Sequence, residues 1–106
     1  MGDSEQDYLE KISKMKFNSS KKVTEVLDVF GKSQKLKAES LKKTEEMMTK
    51  AASDLEKLER DKAKNKDLSA ESQNKIAEEI AAARSQIRQK YDELKTRISD
   101  RVEYNR

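Results

Sequence analysis

Residues 69–104 read SAESQNKIAEEIAAARSQIRQKYDELKTRISDRVEY, and the apolar positions in this stretch decide the class of fold. Ile76, Ile80, Ala83, Ile87, Tyr91, Leu94, Ile98 and Val102 recur at steps of three and four, the spacing of one face of an α-helix. Moved along by eleven residues, the series falls on itself. Ile76, Ile87 and Ile98 align, as do Ile80, Tyr91 and Val102, and Ala83 and Leu94. An eleven-residue repeat averages about 3.67 residues per turn, so the seam runs nearly straight or drifts gently right-handed. Polar residues fill the positions between. The segment is therefore expected to be an amphipathic helix that buries this one face against other helices.

Working outward, the chain just before this segment carries end signals. Lys62, Lys64 and Lys66 suit the negative end of a helix dipole, and Asp67, Ser69 and Glu71 suit a positive one. Asn65 is expected to close the earlier helix in a left-handed conformation, and Ser69 to cap the later one, with Leu68 just ahead of it. A turn over about residues 65–68 joins the two as a helical hairpin.

The reading of residues 4–64 turns on Gly31. On a helical wheel Tyr8, Ile12, Val23, Phe30, Leu41, Met48 and Leu55 fall within roughly 60° of one another, and the phase survives passage through the glycine. Glu25 and Asp28 precede Gly31 while Lys32, Lys35 and Lys37 follow it, the wrong signs for a helix end and a helix start. Acid-to-base pairs four residues apart recur at Glu10–Lys14, Asp28–Lys32, Glu39–Lys43 and Glu46–Lys50, one of them spanning the glycine. These features predict one continuous helix, on the order of 90 Å long, over about 4–64. The expected fold is all-α, a single domain. It is a long antiparallel helical hairpin or coiled coil, with a helix at about 4–64, a turn at about 65–68 and a helix at about 69–104. The first helix is then about twice the second. The alternative is a three-helix bundle with a turn at Gly31 and Ser33 as the next cap, because the later helix folds back to about that level.

Composition agrees with helix packing and narrows the chemistry. Of 106 residues 42% are charged and 33% hydrophobic, with no Pro and only Gly2 and Gly31, so little punctuates the chain into strands and tight turns. The same composition is the signature of disorder, but the signs are finely mixed, the net charge is only +3, and the apolar residues are periodic. There is no Cys and no His, which removes thiolate chemistry, disulfides, imidazole ligands and the usual general base near neutrality. No apolar run approaches the ~20 residues of a membrane span, and no apolar signal core stands at the start. Gln6 occupies the place where a myristoylation motif after Gly2 wants Ser or Thr. A soluble, cytoplasmic protein is expected.

Motifs for catalysis and cofactors fail on inspection. Gly31-Lys32-Ser33 matches the end of a phosphate-binding loop, but Val26 stands where a glycine is required and the flanks are helical. Glu45-Glu46 and Glu78-Glu79 are adjacent acids whose side chains point about 100° apart on a helix, and no partnering His completes a metal site. Tyr8, Tyr91 and Tyr104 sit at helical spacing and are expected to pack or cap. No catalytic residue, metal or cofactor is expected, and the chain is not expected to be an enzyme.

What remains is interaction. The expected helix-packing residues are Leu41, Met48, Leu55, Leu58, Ile76, Ile80, Ile87, Tyr91, Leu94, Ile98 and Val102. In the hairpin, Tyr8, Leu9, Ile12 and Met15 overhang the shorter arm and need an outside partner. This predicts a homo-oligomer, with a dimer as the simplest closed form, or another helical protein as partner. A second reading comes from charge. Residues 11–22 hold five Lys and no acid, and residues 32–43 hold five Lys and one Glu. Lys11, Lys14, Lys16, Lys21, Lys22, Lys32 and Lys35 would be the phosphate contacts of a nucleic-acid-associated coiled coil. Flanking acids, the absence of an Arg-rich groove helix and the lack of interleaved aromatics weigh against that reading.

Overall fold

The computed structural model describes residues 3–32 and 37–101. Among them there are three helices and no strand: α1 spans Glu5–Lys32, α2 Lys37–Lys64 and α3 Ala70–Arg101. The first helix is not twice the second; α1 and α2 have 28 residues each and α3 has 32. The continuous helix expected over 4–64 is thus corrected to two helices. The reason is burial: as one rod, residues 4–28 would leave Tyr8 and Ile12 without a partner, whereas as two helices both sides find the third. Gly31 itself stays inside α1, one residue before its end, so the chain leaves the helix after the glycine. Ser33 and its expected capping role lie outside the described residues.

Side-chain bonds give the topology. Tyr8 at the start of α1 meets Asp61 near the end of α2, so these two run antiparallel. Glu59 pairs with Arg84 and Glu45 with Lys95, so residue numbers fall along α3 as they rise along α2. Lys90 meets Ser20, and the register places α1 parallel to α3. The molecule is an up-down-up rod of 58 × 19 × 16 Å.

One core runs the length of the rod, and all three helices feed it with the same spacing. α3 contributes Ile76, Ile80, Ala83, Ile87, Tyr91, Leu94 and Ile98, all buried. α1 contributes Tyr8, Ile12, Met15, Ser19, Val23, Val26 and Phe30, in the same sequence of steps, and α2 contributes Ser40, Thr44, Met47, Ala51, Leu55 and Leu58. The eleven-residue repeat visible in α3 is thus shared. Three helices with one common period keep their seams in phase without strong supercoiling, which is why about eight turns stay packed. The register puts Ile12 level with Leu58 and Ala83, then Met15 with Leu55 and Ile87, then Ser19 with Ala51 and Tyr91.

Near the α1–α2 connection the core turns polar. Ser40 and Thr44 take the inward positions of α2, Thr44 fully buried, while Leu41 sits at their flank. The Thr44 hydroxyl donates to the Ser40 carbonyl at 2.7 Å. No buried side-chain nitrogen or oxygen among the described residues lacks a partner, so this end avoids the cost of an orphaned polar group.

The helix ends are capped as dipoles require. Ser4 caps α1: its hydroxyl accepts from the Asp7 amide (3.3 Å) and its own amide donates to Asp7 Oδ2 (3.0 Å), a reciprocal box with Asp in the acidic position. Ser69 caps α3, accepting from the Ser72 amide at 3.1 Å. Asn65 corrects an expectation, since no described residue has positive φ. It ends α2 through a tight 3.1 Å bond from its amide to the Lys62 carbonyl, and its side-chain oxygen accepts from the Asp67 amide at 3.0 Å. That Asx turn does what a left-handed residue would have done.

Candidate interaction surface

The residues expected to pack fall into three groups. Leu55, Leu58, Ile76, Ile80, Ile87, Tyr91, Leu94 and Ile98 are buried; Leu41 and Met48 are half-buried against the core; Val102 lies outside the described residues. The residues expected to overhang do not. Tyr8 and Ile12 are each 1% exposed inside the core, Met15 packs against it, and Leu9 is half-buried. The overhang was an artefact of the hairpin geometry. With α2 folded back, α3 reaches the level of Tyr8 and the segment is covered from within.

Tyr8 anchors a polar knot at the α2–α3 turn. Its hydroxyl donates to Asp61 Oδ2 (3.4 Å) and accepts from Asn65 Nδ2 (3.3 Å), which also donates to the Asp3 carbonyl (2.8 Å). From α3, Gln73 Nε2 donates to the carbonyls of Lys62 (2.9 Å) and Asn65 (3.2 Å). The knot satisfies the orphan carbonyls that end α2 and ties all three helices together. Its groups saturate one another, which makes it a structural clasp. Lys11 pairs with Asp3 and lies over the Tyr8 ring at 5.8 Å, closing the clasp from α1.

A surface with room for something else, and with an apolar floor, lies between α2 and α3. An open depression of about 590 Å³ has Met48, Ala52, Leu55 and Ile87 as its floor and Glu56, Arg84, Arg88 and Lys95 on its banks. A second, of about 680 Å³, continues it past Ala52, Glu59 and Ala63. Its width follows from the sequence: α2 places Ala52 and Ala63 on this flank, and short side chains leave the seam uncovered. Two ion pairs cross it, Glu59–Arg84 at 2.7 Å and Glu45–Lys95 at 2.6 Å. Both are well exposed, and such pairs contribute about 0–1 kcal/mol each.

The lysines of the charge-based reading do not converge. Lys11 is taken up by Asp3 and feels Asp61, on the α2 side of α1. Lys16, one turn before Ser20, stands on the α3 side, where Ser20 meets Lys90. Lys14 and Lys21 are exposed on the outer face, and Lys22 is half-buried. Lys32 ends α1 and Lys35 lies outside the described residues. Phe17, 68% exposed, stands alone on that outer face, and a lone apolar side chain is no patch.

Ionisation is perturbed only away from neutrality where it is perturbed. The backbone hydrogen bond from Ser4 holds the Asp7 carboxyl below its ordinary value. Hydrogen bonds to Asp3 and to Glu45 raise Lys11 and Lys95. Burial raises the Tyr91 phenol, partly offset by its hydrogen bond with Ser19. Each shift strengthens the charge state already present at neutral pH, the opposite of what a general acid or base needs. Among the described residues no group of acids is placed to hold a metal ion, and no helix is long and apolar enough to cross a membrane.

No protein-family model, no curated protein and no solved structure matches the chain. Sequence reasoning missed Ser19, Ser40 and Thr44 as core positions and Asp3 and Gln73 as parts of the clasp. The first three carried a readable signal. Tyr8, Ser19 and Phe30 stand eleven apart, as do Thr44 and Leu55 and Ser40 and Ala51. Asp3 and Gln73 carried none, because the Asp3 carbonyl accepts from the Asn65 side chain and Gln73 donates to the Lys62 and Asn65 carbonyls, contacts that only the folded turn brings near.

Proposed function

We propose that this protein is a non-enzymatic structural and interaction module, a three-helix rod whose α2–α3 face takes up further helix surface. The observation that carries the reading is the open seam along that face, with an apolar floor at Met48, Ala52, Leu55 and Ile87 between charged banks. An amphipathic helix laid in such a seam buries its apolar stripe on the floor and meets the banks with its polar edges. The absence of His and Cys from the chain, and ionisation pushed away from neutrality, support a module without catalysis. Nucleic-acid association finds less support, since the lysines of α1 face three directions.

The test is site-specific photo-cross-linking in the full chain. A cross-linker at Ala52 should give protein adducts, while one at Lys21 on the outer face of α1 should not. Adducts from Lys21 and none from Ala52 would overturn the reading. Binding to duplex or single-stranded nucleic acid that falls steeply with salt would favour the alternative.

A further inference from the structure

The α2–α3 face carries charge in a pattern that names its own complement. On the α2 bank stand Glu45, Glu56 and Glu59, with one base, Arg60. On the α3 bank stand Arg84, Arg88 and Lys95, with one acid, Asp92, paired to Arg88 at 3.9 Å. Each bank has three charges of one sign to one of the other, so the face is split lengthwise into a half with excess acid and a half with excess base. Glu59 and Glu45 already reach across to Arg84 and Lys95, but those pairs are exposed and keep part of their field outward. Glu56 has no ion pair among the described residues, and the register puts it level with Arg84 and Arg88.

We infer that the occupant of this face is a second copy of the chain, related by a two-fold axis parallel to the rod; this rests on the proposed role of the α2–α3 seam. Two copies can meet face to face through two kinds of two-fold axis. An axis across the rod lays α2 on the partner's α2 and α3 on the partner's α3, acid on acid and base on base. An axis along the rod lays α2 on the partner's α3, so each acidic bank meets a basic one. It also keeps every level unchanged, so Glu56 of one copy faces Arg84 and Arg88 of the other. Because α2 and α3 run antiparallel within one copy, every neighbouring pair in the central layer of four helices is antiparallel too. The helix dipoles then add no repulsion. Closed isologous pairing is the commonest form of self-association.

Area sets the strength. The face from Glu45 to Ala63 is about 28 Å long at 1.5 Å per residue. At a rod width of 19 Å, contact covers on the order of 500 Å² per copy, or about 1,000 Å² in total, the lower limit for a specific interface. An interface at this limit should dimerise weakly, and less at high salt because its selectivity is electrostatic.

The experiment uses sedimentation of the full chain at about 5–200 µM with charge reversals chosen from exposed groups, their helicity checked by circular dichroism. Wild type should dimerise. Glu56→Lys and Arg88→Glu should each weaken dimerisation about tenfold or more. An equimolar mixture of the two variants should restore it, since each altered bank then meets its opposite in both contacts. If instead Glu56→Lys pairs best with wild type, α2 lies on α2 and the parallel axis is refuted. A wild-type chain that is monomeric throughout refutes the second copy. In that case Ala52 adducts with a different protein would leave the docking reading standing, and no adducts at all would remove both.

Discussion

Ile12→Ala separates the bundle from the hairpin more sharply than any change in α3, whose face is buried in either. Ile12 is 1% exposed, level with Leu58 and with Ala83, whose small side chain has no reach to refill the space. Truncating a buried isoleucine removes its transfer free energy and leaves a cavity, together about 2–4 kcal/mol where neighbours relax little. A single domain of this size has about 5–15 kcal/mol in all. At about 4–6 °C per kcal/mol, the melting temperature should fall by roughly 10–20 °C. In a hairpin with an overhanging first helix the same residue is on the surface, and its truncation would change stability by no more than about 0.5 kcal/mol. Thermal and urea unfolding followed by circular dichroism give the answer. An unchanged midpoint, with self-association lost instead, would refute the internal packing of α1.

Further outcomes follow from the caps, the polar end of the core and the shifted groups. Ser4→Ala should cost about 1 kcal/mol in urea unfolding, by leaving the first amides of α1 without the box. Thr44→Val should be neutral or slightly stabilising in the same assay. It removes a buried hydroxyl and leaves no orphan, because the Ser40 carbonyl keeps its helical bond. Gly31→Ala should stabilise by up to about 1 kcal/mol, since the glycine lies within α1; a lower melting temperature would show that its backbone is not helical. Tyr91 should titrate above the ordinary 10.0 in absorbance at alkaline pH. Its folded pKa exceeds its unfolded one, so the stability it contributes is complete below the unfolded pKa and is lost as pH rises through the folded value. Lys95 behaves with the same sign through Glu45, and Glu45→Gln should reduce the alkaline loss.

The period of α3 was legible from residue spacing alone because apolar residues occupy nearly every inward position from Ile76 to Ile98. So was the α2–α3 turn, where cationic and capping residues change over between Lys62 and Ser69. The packing partners were not. The wheel through residues 8–55 held its phase across Gly31 because α1 and α2 carry one period, and two helices with one period look like a single longer one. Local signals at Gly31 argued for continuity, and within α1 they were right as far as Lys32. What separated the helices was a global term: the apolar surface of Tyr8, Ile12 and Val26 needs a partner, and only a chain that folds back before Lys37 supplies it. The same term decided α2, where Ser40 and Thr44 face inward and Leu41 does not. The orientation of a helix follows its whole buried face, and one leucine cannot rotate a rod whose other end is set by Leu55 and Leu58. The charged banks stood in the sequence as scattered Glu and Arg, and became two opposed halves only when α2 and α3 were laid antiparallel.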